Sequence, residues 1–161
     1  MKIRTGIGYD IHRFAHGRKL ILGGVTIPHE HGLDGHSDAD ALCHAIADAI
    51  LGAVGLPDIG HYFSPRDETI RGISSLVILQ KVRDLAAAEG ASLNNVDATV
   101  IAENPRISPH LTQMKQNIAD ALGLTPRHVG IKATTNETLG ALGRNEGIAA
   151  MAVACVSVDN D

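Results

Sequence analysis

The 161-residue sequence predicts one domain that mixes strands with helices. Three observations predict it. The length suits a single unit able to bury a core of its own. Strand-like stretches at both ends and in the middle alternate with three helical runs, each closing on a glycine. No internal repeat and no linker-like break divides the chain, so one domain spans 1–161.

Taken in order, Lys2 to Ile11 alternates enough for a strand, and Lys19 to Ile27 reads as another, with Gly23-Gly24 marking a bulge or bend. Pro28 to Gly35 is a loop. Ser37 suits a helix N-cap with Asp40 three residues on, a weak capping-box variant, and the helix runs from Asp38 to Leu51 and stops at Gly52. Gly55 to Gly72 is polar, rich in Gly and Pro, and too long for a plain connector, which suggests a functional loop. Ser74-Ser75 opens a second helix through Glu89, with Gly90 as its stop. Val96 to Ala102 is a strand. Ser108-Pro109 opens a third helix, which closes at Gly123. Val129 to Ala133 and Ile148 to Val158 are strands flanking the loop Thr134 to Gly147.

Composition excludes several classes. Apolar residues make up 44% and charged residues 20%, ordinary for a globular domain. The formal charge is −4 with no basic run, so no nucleic-acid partner is expected. Aromatics are 2% with no Trp, so a nucleobase would not be gripped by stacked aromatic platforms. Cys43 and Cys155 are too scattered for a disulfide framework and read as buried free thiols. No run is apolar enough to span a bilayer, and Met1 to Gly8 lacks signal- or transit-peptide character. The expected location is the cytoplasm, with no membrane partner.

The chemistry gathers in two places. Asp10 and His12 stand at i and i+2 on one face of the first strand. His44, inside the first helix, can reach them only through tertiary folding. One carboxylate and two imidazoles make a catalytic-type zinc set that leaves a fourth position open. Either part alone is weak; with the His36-Ser37-Asp38 cluster nearby, metal binding is the expectation. Asp40, His44 and Asp48 share a helical face, so Asp48 or Asp40 is a candidate to orient the imidazole. Further along, Lys132-Ala133-Thr134-Thr135-Asn136-Glu137 leaves a strand with hydroxyls, amides and a lysine suited to phosphate oxygens, and Glu137 suited to a hard divalent ion. A plain surface loop fits that segment equally well. Gly143-Arg144-Asn145-Glu146-Gly147 continues it with a fork-shaped cation. His16, His29, His31, His61, His110 and His128 lack partners at metal-like spacing and read as exposed or structural. No Gly-x-Ser-x-Gly, His-Glu-x-x-His or Cys-x-x-Cys occurs, against a serine hydrolase, a zincin or a redox dithiol.

Asp10-Ile11-His12, His36-Ser37-Asp38-Ala39-Asp40, Asp58-Ile59-Gly60, Lys132 to Glu137 and Gly143 to Gly147 occur in that order. The chain thereby resembles the 2-C-methyl-D-erythritol 2,4-cyclodiphosphate synthases of the non-mevalonate isoprenoid pathway, over nearly its whole length. The resemblance implies an α+β fold, a mixed sheet packed against helices, assembled as a homotrimer with sites at the seams. It implies zinc on Asp10, His12 and His44, and magnesium or manganese on Glu137. It implies transition-state stabilisation by His36 and Thr135. Contacts to a cytidine diphosphate derivative would come from Asp10, His12, His36, Ser37, Asp58, Ile59, Gly60, Thr134, Thr135, Asn136, Glu137 and Arg144. One subunit would supply the zinc and His36-Ser37 side, and the next the Ala102 to Ile107 and Thr134 to Glu137 side. Two places depart from the family pattern: Ala141 stands where some relatives carry an aromatic, and Phe63-Ser64-Pro65-Arg66-Asp67 replaces a Phe-Pro-acidic run.

The implied reaction is an intramolecular phosphoryl transfer that closes a cyclic diphosphate and expels CMP. Two other readings stand beside it. A metal-dependent phosphoesterase would use the same triad with an activated water, and a zinc-stabilised binding protein would fill the fourth position with protein.

Overall fold

The computed structural model describes residues 1–159; Asn160 and Asp161, the end of the expected domain, lie outside the described residues. The strands are β1 (Lys2–Ala15), β2 (Leu20–Leu22), β3 (Val25–Ile27), β4 (Gly32–Leu33), β5 (Ala91–Ile101), β6 (Val129–Thr134) and β7 (Gly147–Val158). The helices are α1 (Ala41–Ala53), α2 (Ile59–Tyr62), α3 (Ser75–Ala88), α4 (Leu111–Leu122) and α5 (Gly140–Gly143). Five strands form one mixed sheet in the order β4-β1-β7-β5-β6, in which only β5 and β6 run parallel, joined across α4. β2 and β3 form a separate hairpin.

Alternation builds the sheet's two faces. On β7, Ala150, Ala152, Ala154 and Val156 point into the core while Met151 and Val153 are exposed. Small side chains on the inner face let α1 lie close. This helix is buried almost all round, as an apolar run on every face requires, and packs on β1, β7 and α3. The outer face carries Ile3, Ile7, Tyr9, Ile11, Met151 and Val153, all well exposed, an apolar surface that none of the described residues of the single chain covers.

Several boundaries differ from the sequence reading, each for a local reason. The stretch Lys19 to Ile27 is not one bent strand but the β2–β3 hairpin, because Gly23 and Gly24 both take positive φ (56° and 69°), the geometry of a two-residue reversal. The first helix starts at Ala41, capped by Asp40, and not from Ser37: Ala39 sits at φ 57°, which no α-helix tolerates. β1 continues to Ala15, where it pairs with β4, and β5 begins at Ala91 with a bulge between Leu93 and Asn95. Ser108–His110 is a 3-10 turn ahead of α4. Cys43 is buried and Cys155 half-buried, and both thiols are free. No helix among the described residues is long and apolar enough to cross a membrane.

Candidate metal centre and substrate cleft

β1 presents Asp10 and His12 on the face that α1 covers, and α1 brings His44 down onto them. Asp10 Oδ2 lies 2.8 Å from His12 Nε2 and 3.0 Å from His44 Nδ1, and those two nitrogens are 3.4 Å apart. Three donors on one tetrahedral ion with bonds near 2.0–2.1 Å stand about 3.3 Å from one another. The triad therefore fits a metal ion without rearrangement. It is also the only such group of three among the described residues. Burial pushes the Asp10 carboxyl up, but hydrogen bonds and charge from His12 and His44 outweigh it and hold the group at about 2. Burial likewise pushes His12 down, yet its bond to Asp10 and its contact with Asp34 raise it above its ordinary 6.5.

The other ring nitrogens are held as well. His12 Nδ1 lies 2.6 Å from the Asp34 carbonyl, which accepts its N–H and leaves Nε2 as the ligating atom. His44 Nε2 faces the hydroxyls of Ser75 at 3.0 Å and Ser37 at 3.1 Å. Neither Asp40 nor Asp48 orients His44. Asp40 is fully buried and accepts from Gly23, Gly24 and Cys43 N–H, tying the β2–β3 turn to the start of α1, while Asp48 accepts from Ile59 N–H. Sequence spacing missed Ser75, Asp34 and Arg18, whose guanidinium donates to the Gly35 and Ser37 carbonyls and pins the loop carrying His36. Only the clustering of polar residues around His36 hinted at this loop.

A cleft of about 360 Å³ opens over the triad, lined also by His36, Ser37, Ile59, Gly60 and Phe63. The Gly55 to Gly72 segment forms one wall through α2 and a 3-10 turn at Glu68–Ile70. Asp58 does not line this cleft; it caps α2 by accepting from His61 N–H. His36 Nε2 lies 2.8 Å from the Asp67 carbonyl, across the wall.

Thr134, Thr135, Asn136 and Glu137 stand elsewhere in the same chain. Register runs from Ile11 to Ala149, Ile101 and Thr134, so these residues lie at the same end of the sheet as the triad but three strands away, about 14 Å. Their loop is held by Glu103, whose Oε1 accepts from Asn136 N at 2.9 Å and Thr138 N at 3.2 Å. Glu137 N–H donates to Thr135 Oγ1, which leaves the Thr135 proton free to point outward. Arg144 pairs with Glu146 at 2.7 Å on the surface, in the turn beside the end of β1.

The YgbB family model matches residues 3–157. A 2-C-methyl-D-erythritol 2,4-cyclodiphosphate synthase of Akkermansia muciniphila is 62% identical over 158 residues, 98% of this chain and 94% of that one. Among solved structures, the bifunctional IspDF of Campylobacter jejuni superposes with a TM-score of 0.94 at 38% identity over 99% of this chain, which spans 43% of that longer protein. The IspF of Plasmodium falciparum, solved as a CDP complex, superposes with a TM-score of 0.84 at 35% identity over 98% of this chain and 97% of its own. A family match from the first strand to the last, on a fold these structures share, leaves one assignment: the chain belongs to the YgbB family, alongside the 2-C-methyl-D-erythritol 2,4-cyclodiphosphate synthases.

Proposed function

We propose that this chain converts 4-diphosphocytidyl-2-C-methyl-D-erythritol 2-phosphate into 2-C-methyl-D-erythritol 2,4-cyclodiphosphate and CMP, a cytoplasmic lyase reaction of non-mevalonate isoprenoid synthesis. The observation that carries it is the convergence of Asp10, His12 and His44 at the floor of a cleft shared with His36, Ser37, Ile59 and Gly60. The activity named for relatives such as the one 62% identical supports it, as does CDP in the Plasmodium falciparum complex.

The substrate's 2-phosphate attacks its own β-phosphorus; the new P–O bond closes the ring as the bond to the CMP phosphate breaks. A phosphate monoester carries about −1.5 to −2 charge at neutral pH and needs no strong base to deprotonate it. The protein's work is to hold the two ends together and offset developing charge. Zinc on the triad, and magnesium or manganese on Glu137 with the substrate phosphates, supply Lewis-acid polarisation and charge neutralisation when bound. Ile59 and Gly60 contact the erythritol part and Ser37 the neighbouring phosphate; Asp58, which caps α2 outside the cleft, would have to swing in to join them. Thr134 to Glu137 and Arg144 complete the nucleotide side, with Thr135 donating its free hydroxyl proton to the transition state. With Nε2–H directed at the Asp67 carbonyl, His36 donates through Nδ1 only as the doubly protonated ring, or through Nε2 once that contact opens.

The protein works as a homotrimer. Support comes from the bare apolar face of β1 and β7 and from the three-strand separation of Thr135 from the triad: a ring of chains covers the first and closes the second. The experiment is an incubation with the cytidylylated substrate followed by phosphorus NMR. CMP with a cyclic diphosphate is expected. Open phosphate products would replace this reading with a phosphoesterase, and unchanged substrate with a binding protein.

A further inference from the structure

Ser75 is the first residue of α3, fully buried, and one of very few polar side chains in the core. Its hydroxyl lies 3.0 Å from His44 Nε2 and makes a short hydrogen bond to Asp38 Oδ1, while Ser75 N–H donates to Asp38 Oδ2 at 2.9 Å. Asp38 Oδ1 also accepts from Asp40 N–H at 3.2 Å. The 36–38 loop and α1 thus meet the start of α3, more than thirty residues further along, in one chain of hydrogen bonds behind the metal triad.

Donor accounting gives this chain a direction. A carboxylate accepts only, and a serine hydroxyl has one proton. With that proton committed to Asp38, the Ser75 oxygen can only accept from His44, so Nε2 of His44 carries the hydrogen. The metal-binding lone pair of His44 is then the one on Nδ1, the atom that faces Asp10 Oδ2 and His12 Nε2, once a metal takes the place of the proton shared there with Asp10. Ser37 Oγ, which accepts from Ala39 N–H, stands 3.1 Å from the same Nε2 and can share its proton without reversing the order.

We propose that Ser75, its proton held by Asp38, is a positioning residue that fixes the tautomer and ring orientation of His44 so that Nδ1 is presented to the metal. Ser75 neither lines the cleft nor belongs to the triad. Its hydroxyl bridges a buried imidazole and a carboxylate, an arrangement that raises the basicity of the ligating nitrogen. The inference rests on the assignment of Asp10, His12 and His44 as zinc ligands.

The test is zinc affinity by chelator competition, together with the ¹⁵N chemical shifts of His44 in histidine-labelled protein. Wild type is measured first: failure to bind zinc would remove the ligand assignment itself. Given binding, Ser75→Ala should remain folded by circular dichroism, bind zinc about 10–100-fold more weakly, and lose the Nε2–H signature in the metal-free state. Ser75→Thr, which keeps the hydroxyl, should recover most of the affinity. Asp38→Ala, which removes the acceptor and frees the serine proton, should shift the His44 tautomer in the same direction as Ser75→Ala and decides the matter if that variant does not fold. Wild-type zinc affinity with an unchanged tautomer in Ser75→Ala or Asp38→Ala overturns the proposal and leaves the zinc assignment standing.

Discussion

Gly8 of β1 lies against Ala45 of α1 with no room for a methyl between them: a Cβ at Gly8 would overlap the Ala45 carbonyl and crowd the Ala49 amide. Gly6 does the same one turn along, against Ala49 and Ala53. These two approaches set the height at which α1 rides over β1. They therefore set the distance between Asp10, two residues past Gly8, and His44, one residue before Ala45.

Gly8→Ala should lift α1 off the strand. Overpacking of this kind costs about 1–3 kcal/mol, or roughly 2–4 °C in Tm per kcal/mol for a chain of this size. Metal affinity should fall with it, since the triad loses its spacing. Thermal melts with and without metal check this, and a wild-type melt with wild-type affinity would show that the close approach is dispensable.

His44→Ala should abolish zinc binding and turnover while the fold largely survives, because the side chain sits at the edge of the core and is 7% exposed. Metal content per chain and circular dichroism are the measurements. Full activity with one zinc per subunit would remove His44 from the ligand set.

Metal binding should release protons. The Asp10 carboxyl beside His12 keeps the metal-free imidazole protonated to above its ordinary 6.5, and a metal takes only the neutral ring. Affinity should therefore weaken as pH falls through the raised His12 value, with more protons released below that value than above it. The sign for metal-free stability is opposite. The His12–Asp10 pair stabilises fully below 6.5 and loses that contribution as pH rises through the raised folded value. Calorimetry in buffers of different ionisation enthalpy reads the proton count, and a pH-independent count would refute the linkage.

Mixing two inactive variants should restore activity. In the proposed ring of three, a site would take its triad from one chain and Thr135 from the next, so His44→Ala and Thr135→Ala chains co-refolded one to one should recover about a quarter of wild-type turnover. Each mixed ring would then have one intact site. No recovery after confirmed chain exchange would mean that the two sides do not belong to one site.

Asp40→Asn should be costly although it keeps the shape. Both carboxylate oxygens accept buried N–H groups, from Gly23 and Cys43 on one and Gly24 on the other. An amide NH₂ must face one of them, which strands at least one donor at about 1–3 kcal/mol. Urea unfolding measures it, and an unchanged midpoint would show that the β2–β3 turn is not anchored through Asp40.

Local rules were enough for what depends on neighbours in the chain. Alternation placed Asp10 and His12 on one face of β1; serine at 74 and glycine at 123 bounded helices where capping physics says they must. Motif order was enough to place the chain in the family. Long-range packing settled the rest. Whether Gly23-Gly24 bends or reverses a strand depends on Asp40, 16 and 17 residues away, accepting their N–H groups. Ser75 lies 31 residues from His44 and has no periodic relation to it, so its place behind the imidazole comes from α3 docking on α1. The gap between Thr135 and the triad is a matter of strand order, β7 and β5 being inserted between β1 and β6, and strand order is chosen by the global burial of apolar faces. Spacing along a chain encodes direction and phase within one element; which elements meet is set by the summed hydrophobic contacts of all of them.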